Sequence, residues 1–538
     1  MKWLPFLLFM AVFYTTSVSA QDSVSHEMSA PVDIPQLGWD KVLLMSNGNT
    51  LLIHLQQRKG IVVKTFDKER KEISSLKHIC DVIDINALER SWLKGVYEIG
   101  GEAVMFISQY IENRETLVRL RFSADDGKLI KEEKLIQSPT FQNRTSCYVV
   151  YNKNVEGYSI FCFKNLEVTP KEELKLIKYS SAHKVIKEIP IPNLGMDSMH
   201  YAKMVTANVD NNGSFTVALQ LSKIKYYPDI LDKYLVSCYL PADADKFVIA
   251  RTSLGAAMEA YYTHYSFNPV EQRLNLMVTT EQMAVLKDGL RPVTQAWYIP
   301  YMLVFNETDL NDMVTKPVIY RRGSNYRQQL MGREMPFRPA PVKMFTNENG
   351  ITTLISQEHV NNAYWKGIQS SYTYLGHIGI TQLDESGEEI WGVVLPKAHY
   401  VEYNVYPAEY VMRGMAKPIF AGQHDKAYEK QFSSIDCYTA NKNLYLIYND
   451  AKGNTFKTIK DNIDTVYSYK FTEAVLQRMG RKKEMLKTSL FGEQKENESR
   501  SVMLESADFD DKTLTYAALI RYRKDDKYEM HVAWCHLK

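Results

Sequence analysis

Four histidines, His359, His377, His399 and His424, fall within one 66-residue stretch. Imidazoles gathered in this way could ligate a metal or act as a general base. Their spacings of 18, 22 and 25 residues match no ligand motif, so surface or hydrogen-bonded structural histidines are expected. Glu358, Glu402, Glu409 and Asp425 share the region. They would serve glycoside hydrolysis only if two of them faced each other across a cleft. Asn208-Val209-Asp210-Asn211-Asn212-Gly213 imitates the first half of a calcium loop, with oxygen side chains at alternate positions and a glycine for the sharp turn. Leu219 stands where the distal glutamate belongs, so a hairpin turn is expected instead. No complete dinucleotide, Walker, zincin, nucleophile-elbow or EF-hand motif occurs, and neither a metal nor a cofactor is expected.

Aromatic and guanidinium groups are more abundant than catalytic ones. Tyr364, Trp365, Tyr372 and Tyr374 lie in one segment, Tyr400, Tyr403, Tyr406 and Tyr410 in a second, and Arg321, Arg322, Arg327, Arg333 and Arg338 in a third. Rings offer rigid stacking area and arginines offer bidentate donors, a mixture suited to a glycan or protein partner bearing carboxylates or sulfates. The competing reading is that the rings pack long loops onto their scaffold. None of the six cysteines has metal-type spacing. A hairpin turn centred between Asn154 and Val155 would set Cys147 opposite Cys162, as a disulfide or as two buried thiols.

These residues need a scaffold of strands. The 538 residues are 45% apolar and 24% charged, which excludes disordered and collagen-like classes. Lys plus Arg number 65 against 63 acids, so a formal charge of +2 gives no electrostatic case for nucleic acid. The 35 tyrosines favour strands. From about residue 41 onward, short β-branched and aromatic runs alternate with Asn/Asp/Gly turns. A tight turn before a strongly apolar strand recurs at Ser46-Asn47-Gly48-Asn49, Asp210-Asn211-Asn212-Gly213 and Asn347-Glu348-Asn349-Gly350, and a second turn at Asp125-Asp126-Gly127 and Ser386-Gly387. The pattern predicts an all-β β-propeller of four-stranded antiparallel blades, about eight or else seven, over residues 41–538. Two packed sandwiches or an irregular double propeller are the alternative. The last unit shows three strands, so the segment at residues 21–40, around Pro31 to Leu37, is expected to supply its fourth and close the ring. Long loops are expected at 321–341, 359–375 and 397–431, on the face opposite the short turns.

Lys2, the apolar run Trp3 to Tyr14 and the small residues Val18-Ser19-Ala20 read as a secretory signal peptide over residues 1–20. Nothing later approaches the length of a membrane span, so a soluble periplasmic or extracellular protein is expected.

Gly376 to Trp391, then Leu395-Pro396-Lys397, Leu446 to Asp450 and Asn454 together resemble a block that recurs in exported bacterial proteins of unknown function. The resemblance, limited to about residues 375–454, implies an exported, propeller-like protein and supplies no reaction or ligand. Two functions stay open at this point. One is non-catalytic recognition or scaffolding, binding a glycan or envelope protein through the aromatic and Arg-rich loops. The other is a propeller enzyme acting on polysaccharide or peptide through loop carboxylates.

Overall fold

The computed structural model describes residues 24–537 except 34–37, 57–58, 139–144, 165–173, 192–193, 195–199, 227–228, 255–259, 269, 271–272, 289–290, 307–312, 332–336, 338, 363–371, 402–416, 419–429, 458–461, 493 and 526. The described strands form seven hydrogen-bonded antiparallel sheets. In the first sheet, strands Trp39–Leu44, Thr50–Gln56, Gly60–Phe66 and Glu72–His78 follow one another in chain order. Burial is least in the outermost strand. Thr50–Gln56 is buried almost throughout, whereas Glu72–His78 is half exposed. Inner strands are covered on both faces by neighbouring sheets, which is why they read as continuous apolar runs instead of alternating ones.

The meander recurs around a ring. First strands of successive sheets lie against one another: Trp39–Leu44 on Trp92–Ile99, then Thr145–Val150, His200–Val209, Ala260–Asn268 and Pro339–Thr346. Asp508–Asp510 of the last sheet returns to Trp39–Leu44 and completes the circle. This is a β-propeller. The nine-stranded sheet holds two meanders, Ala260–Pro317 and Pro339–Leu395, fused by the pair Gln295↔Asn362. The expected count of eight or seven units therefore appears as seven sheets, one of them double.

Turn chemistry follows the sequence. At the calcium-like segment, Gly213 has φ +87° and its N–H donates to the Asp210 carbonyl at 3.0 Å, while Ser214 N–H donates to Asn212 Oδ1 at 2.9 Å. Its oxygens are turned onto the backbone and onto the neighbouring hairpin, so it is a hairpin turn.

Closure uses the N-terminal segment, with a shift in position. Ser25–Met28 pairs with Lys527–His536 as the outermost strand of the last sheet, ahead of the expected Pro31 to Leu37. Val32 N–H still donates to the Met530 carbonyl at 2.7 Å. The seam is packed by Trp534, fully buried, which meets Phe66 edge-on at 5.5 Å and donates its indole N–H to Thr50 Oγ1 at 2.9 Å. Those contacts join the first sheet to the last.

Parts of the segments expected as long loops are described and include regular elements. Arg321–Met331 is a helix, α1, in which Arg, Gln, Leu and Met outnumber Gly323, Ser324, Asn325 and Tyr326 and no residue is β-branched. Its first turn meets an acid, the Arg322 N–H donating to Glu389 Oε2 at 2.9 Å. Of 359–375, the described residues 359–362 and 372–375 belong to the strands Thr352–Asn362 and Tyr372–Leu383. Of 397–431, Lys417–Pro418 pairs with Trp92 and Leu93 at the start of an inner strand. Trp391 packs between sheets, with the Lys483 ammonium 5.1 Å from its ring.

Candidate functional site

Two places combine exposure, polarity and positioning, at opposite ends of the ring. The first is the central channel, about 910 Å³, lined by inner-strand residues such as Lys41, Val96, Lys343 and Cys437 and by the short turns at Gly48, Gly100, Asn154 and Asp511. Four of its carboxylates are occupied by the fold. Glu98 Oε1 accepts from Ser46 N–H at 2.7 Å, Asp436 Oδ2 from Tyr516 O–H at 2.7 Å, and Asp508 Oδ2 from Leu44 N–H at 2.9 Å. Asp511 is paired with Lys153 at 2.6 Å. Acids committed to backbone donors and ion pairs hold inner strands together and are poorly placed to share a proton with substrate.

The second place is on the long-connection face. His399–Val401 pairs with the start of Tyr372–Leu383, setting Tyr400 opposite Tyr374. Tyr400 also donates its N–H to the Val466 carbonyl at 2.8 Å, which brings Tyr467 alongside. The Tyr374 and Tyr400 rings lie 5.0 Å apart, and Tyr400 and Tyr467 stack at 5.7 Å with planes 13° apart. Tyr467 is 71% exposed and Tyr400 36%. Four residues on, exposed Phe471 lies under the Arg523 guanidinium at 4.7 Å. The result is an open aromatic platform.

Strand alternation gives the same three residues an inward face. His399, beside Tyr400, is fully buried. Its Nδ1 shares a hydrogen bond with Tyr469 OH at 3.0 Å, and its Nε2 lies 3.7 Å from Asp450 Oδ1. Asn454 Nδ2 donates to that Oδ1 at 3.0 Å, and Lys487 Nζ lies 3.8 Å from Oδ2. Lys397, also fully buried, completes the group. Among the described residues no group lies at hydrogen-bonding distance from Lys397 Nζ, His399 Nε2, Tyr448 OH or Asp450 Oδ2. Burial pushes the Lys397 ammonium down to about 7, against the attraction of Asp450, and burial together with Lys397 brings His399 down to about 4. Burial opposes ionisation of Asp450, but His399, Asn454 and Lys487 outweigh it and hold the carboxyl below its ordinary value. The cluster is shut away from solvent, so it supports the platform from beneath and does not face a ligand.

The structure treats the expected site residues unequally. Tyr374 is in the platform. Arg321 and Arg322 are exposed at the start of α1. Tyr372 and Arg327 lie in a strand and in α1 respectively. Tyr364, Trp365, Tyr403, Tyr406 and Arg333 lie outside the described residues, as do His424, Glu402, Glu409 and Asp425. His377 is structural, its Nδ1 accepting from Lys397 N–H at 3.2 Å. Sequence reasoning missed Tyr467, which sits in a connection 67 residues from Tyr400 with no motif to link them. Lys397, Asp450 and Asn454 belong to the block quoted for the resemblance, and the fold brings these three together.

No family model matches the chain, and no curated protein matches it. Among solved structures it is similar to prolyl oligopeptidase B from Galerina marginata, at 9% identity and TM-score 0.36, covering 93% of this chain and 55% of that one. It is also similar to the WD40 domain of SCAP from fission yeast, at 8% identity and TM-score 0.31, covering 95% and 98%. A third is the polysaccharide lyase Uly1, at 10% identity and TM-score 0.35, covering 83% and 90%. The chain thus spans about half the length of the prolyl oligopeptidase. No activity is carried over at these similarities.

Among the described residues no helix is long and apolar enough to cross a membrane.

Proposed function

We propose that the protein is an exported recognition propeller that binds a glycan on its long-connection face, with Tyr374, Tyr400 and Tyr467 as the stacking surface. The observation that carries this reading is the row of three tyrosines, Tyr400 stacked on Tyr467 and tilted 45° against half-buried Tyr374, with Tyr400 and Tyr467 left open to solvent although rings of this size are normally covered. Pyranose rings present flat C–H faces that lie well on tyrosine. The proposed surface extends into Tyr364, Trp365, Tyr372, Tyr403 and Tyr406, with Arg321, Arg322, Arg327 and Arg333 as donors for carboxylates or sulfates. Export rests on the signal peptide read at residues 1–20.

Recognition is favoured over catalysis because four channel acids, Glu98, Asp508, Asp436 and Asp511, are held by Ser46, Leu44, Tyr516 and Lys153. The test is a glycan array of neutral and acidic oligosaccharides, followed by titration calorimetry with the Tyr400→Ala/Tyr467→Ala variant. Saturable binding lost in that variant, without product formation, supports the reading. Binding to an envelope protein but to no glycan replaces the ligand class. Turnover of any oligosaccharide sinks the non-catalytic part.

A further inference from the structure

Of the six cysteines, only Cys147 and Cys162 face each other in a sheet register. Cys238 stands opposite Val217 and Ile249, Cys437 opposite Leu446, and Cys535 opposite His26 and Tyr516, while Cys80 lies outside the strands. The sulfurs of Cys147 and Cys162, both as free thiols, lie 2.7 Å apart, and both residues are buried between the second and third sheets. We propose that this pair is an oxidisable site, joined as a disulfide in the exported protein, and that the bond locks the hairpin that braces one mouth of the channel.

The hairpin between the two cysteines supplies the reason for a lock. Tyr151 O–H donates to the Glu98 carbonyl at 2.6 Å in the second sheet. Asn152 Nδ2 donates to the Val209 carbonyl at 2.9 Å in the fourth. Lys153 reaches Asp511 of the last sheet at 2.6 Å. One short loop therefore ties three other sheets around the channel mouth, and slippage of its two strands would loosen all three ties. A covalent link between directly opposed positions removes that slippage.

The chemistry is thiol–disulfide exchange with a small-molecule disulfide as oxidant. One cysteine thiolate attacks a sulfur of glutathione disulfide, forming a mixed disulfide and expelling one glutathione thiolate. The second cysteine thiolate then attacks the protein sulfur of that mixed disulfide, the Cys147–Cys162 bond forms, and the second glutathione leaves. Two electrons pass from the cysteine thiols to glutathione disulfide, and their two protons end on the two glutathione thiols. Burial, followed by the neighbouring Cys147, raises the Cys162 thiol well above its ordinary value, so the exchange belongs to folding, before the neighbouring sheets pack. In the packed chain Lys175 and then Lys94 pull the Cys162 thiol the other way, but burial outweighs them.

The test refolds the mature wild-type chain in a buffer of reduced and oxidised glutathione, alkylates it without reductant, and maps the peptides. A peptide pair joined through Cys147 and Cys162, with the other four cysteines alkylated, is the expected result. The reduced protein should melt about 3 °C lower than the oxidised one. Recovery of both thiols alkylated after refolding, or a bond from either to another cysteine, overturns the site. A melting point that does not move on reduction overturns the lock while leaving the bond. The readout uses no variant and no glycan, so its outcome is separate from that of the binding site.

Discussion

Tyr400 and Tyr467 lie face to face with planes 13° apart, while His399, one residue before Tyr400, is sealed inside against Asp450. One three-residue strand thus carries an open stacking surface on one side and a buried ionisable cluster on the other. A ring held from beneath in this way is already in place for a flat ligand, which reduces the ordering cost of binding.

Tyr467→Ala should weaken glycan binding about tenfold, or about 1.4 kcal/mol, because one stacking ring is removed from an exposed position. The melting temperature should stay within about 1 °C, since an exposed side chain contributes little to folding. Calorimetry and a thermal melt on the same preparation check both halves. A large drop in melting temperature would make Tyr467 a packing residue.

The double variant Trp365→Ala/Tyr406→Ala tests how far the surface extends. Ligand binding should fall with little loss of thermal stability if both rings belong to the contact face. Strong destabilisation would place them in the packing of their own segments instead.

Stability should depend on pH through the buried cluster. Lys397 and His399 have folded values lowered from 10.5 and 6.5 to about 7 and about 4. In both windows the unfolded chain therefore binds more protons than the folded one, so stability rises with pH from about 4 to 6.5 and again above about 7. Asp450, also lowered, adds loss of stability as pH falls below its ordinary 3.8. Raised thiols and phenols such as Cys80 and Tyr158, both at about 12, reverse the trend at higher pH, so the clean window is pH 7 to 9. Lys397→Met should remove its share of the rise in that window and be at least as stable as the parent at pH 7. Denaturant melts at pH 5, 7 and 9 measure this directly, and an unchanged slope in the variant rejects the assignment.

Removing residues 21–33 should strip the outermost strand from the last sheet and expose the edge of Lys527–His536. Lower melting temperature and aggregation are expected, followed by light scattering. Trp534→Ala should cost about 3–5 kcal/mol, because a fully buried indole at the same seam is lost. A truncated chain that melts like the parent would mean that the seam closes without Ser25–Met28.

Much of the fold is written in local chemistry. The turns at Gly48, Gly213 and Gly350 all have positive φ, as their Asn/Asp-Gly neighbourhoods require, and each opens a strand that is largely buried because sheets cover both its faces. Repetition of that unit was enough to predict a propeller, and the missing fourth strand of the last unit was enough to predict closure from the N-terminus. Direct opposition of Cys147 and Cys162 was also legible, since a hairpin's register follows from its turn.

Other features depended on distance in sequence. The closing strand is Ser25–Met28 because the partner's edge and the Trp534 seam select the register, and neither lies near it in the chain. Helix α1 replaces an expected loop because its helix formers find a sheet surface and the Glu389 carboxylate to settle against. Tyr467 joins Tyr400, and Asp450 meets Lys397 and His399, only when neighbouring meanders pack side by side. The sequence by itself determined periodicity, turns and local register, because these are set by interactions among near neighbours. Tertiary structure alone decided which rings stay in solvent and which charges are buried, because both follow from the packing of sheets that meet far apart in the chain.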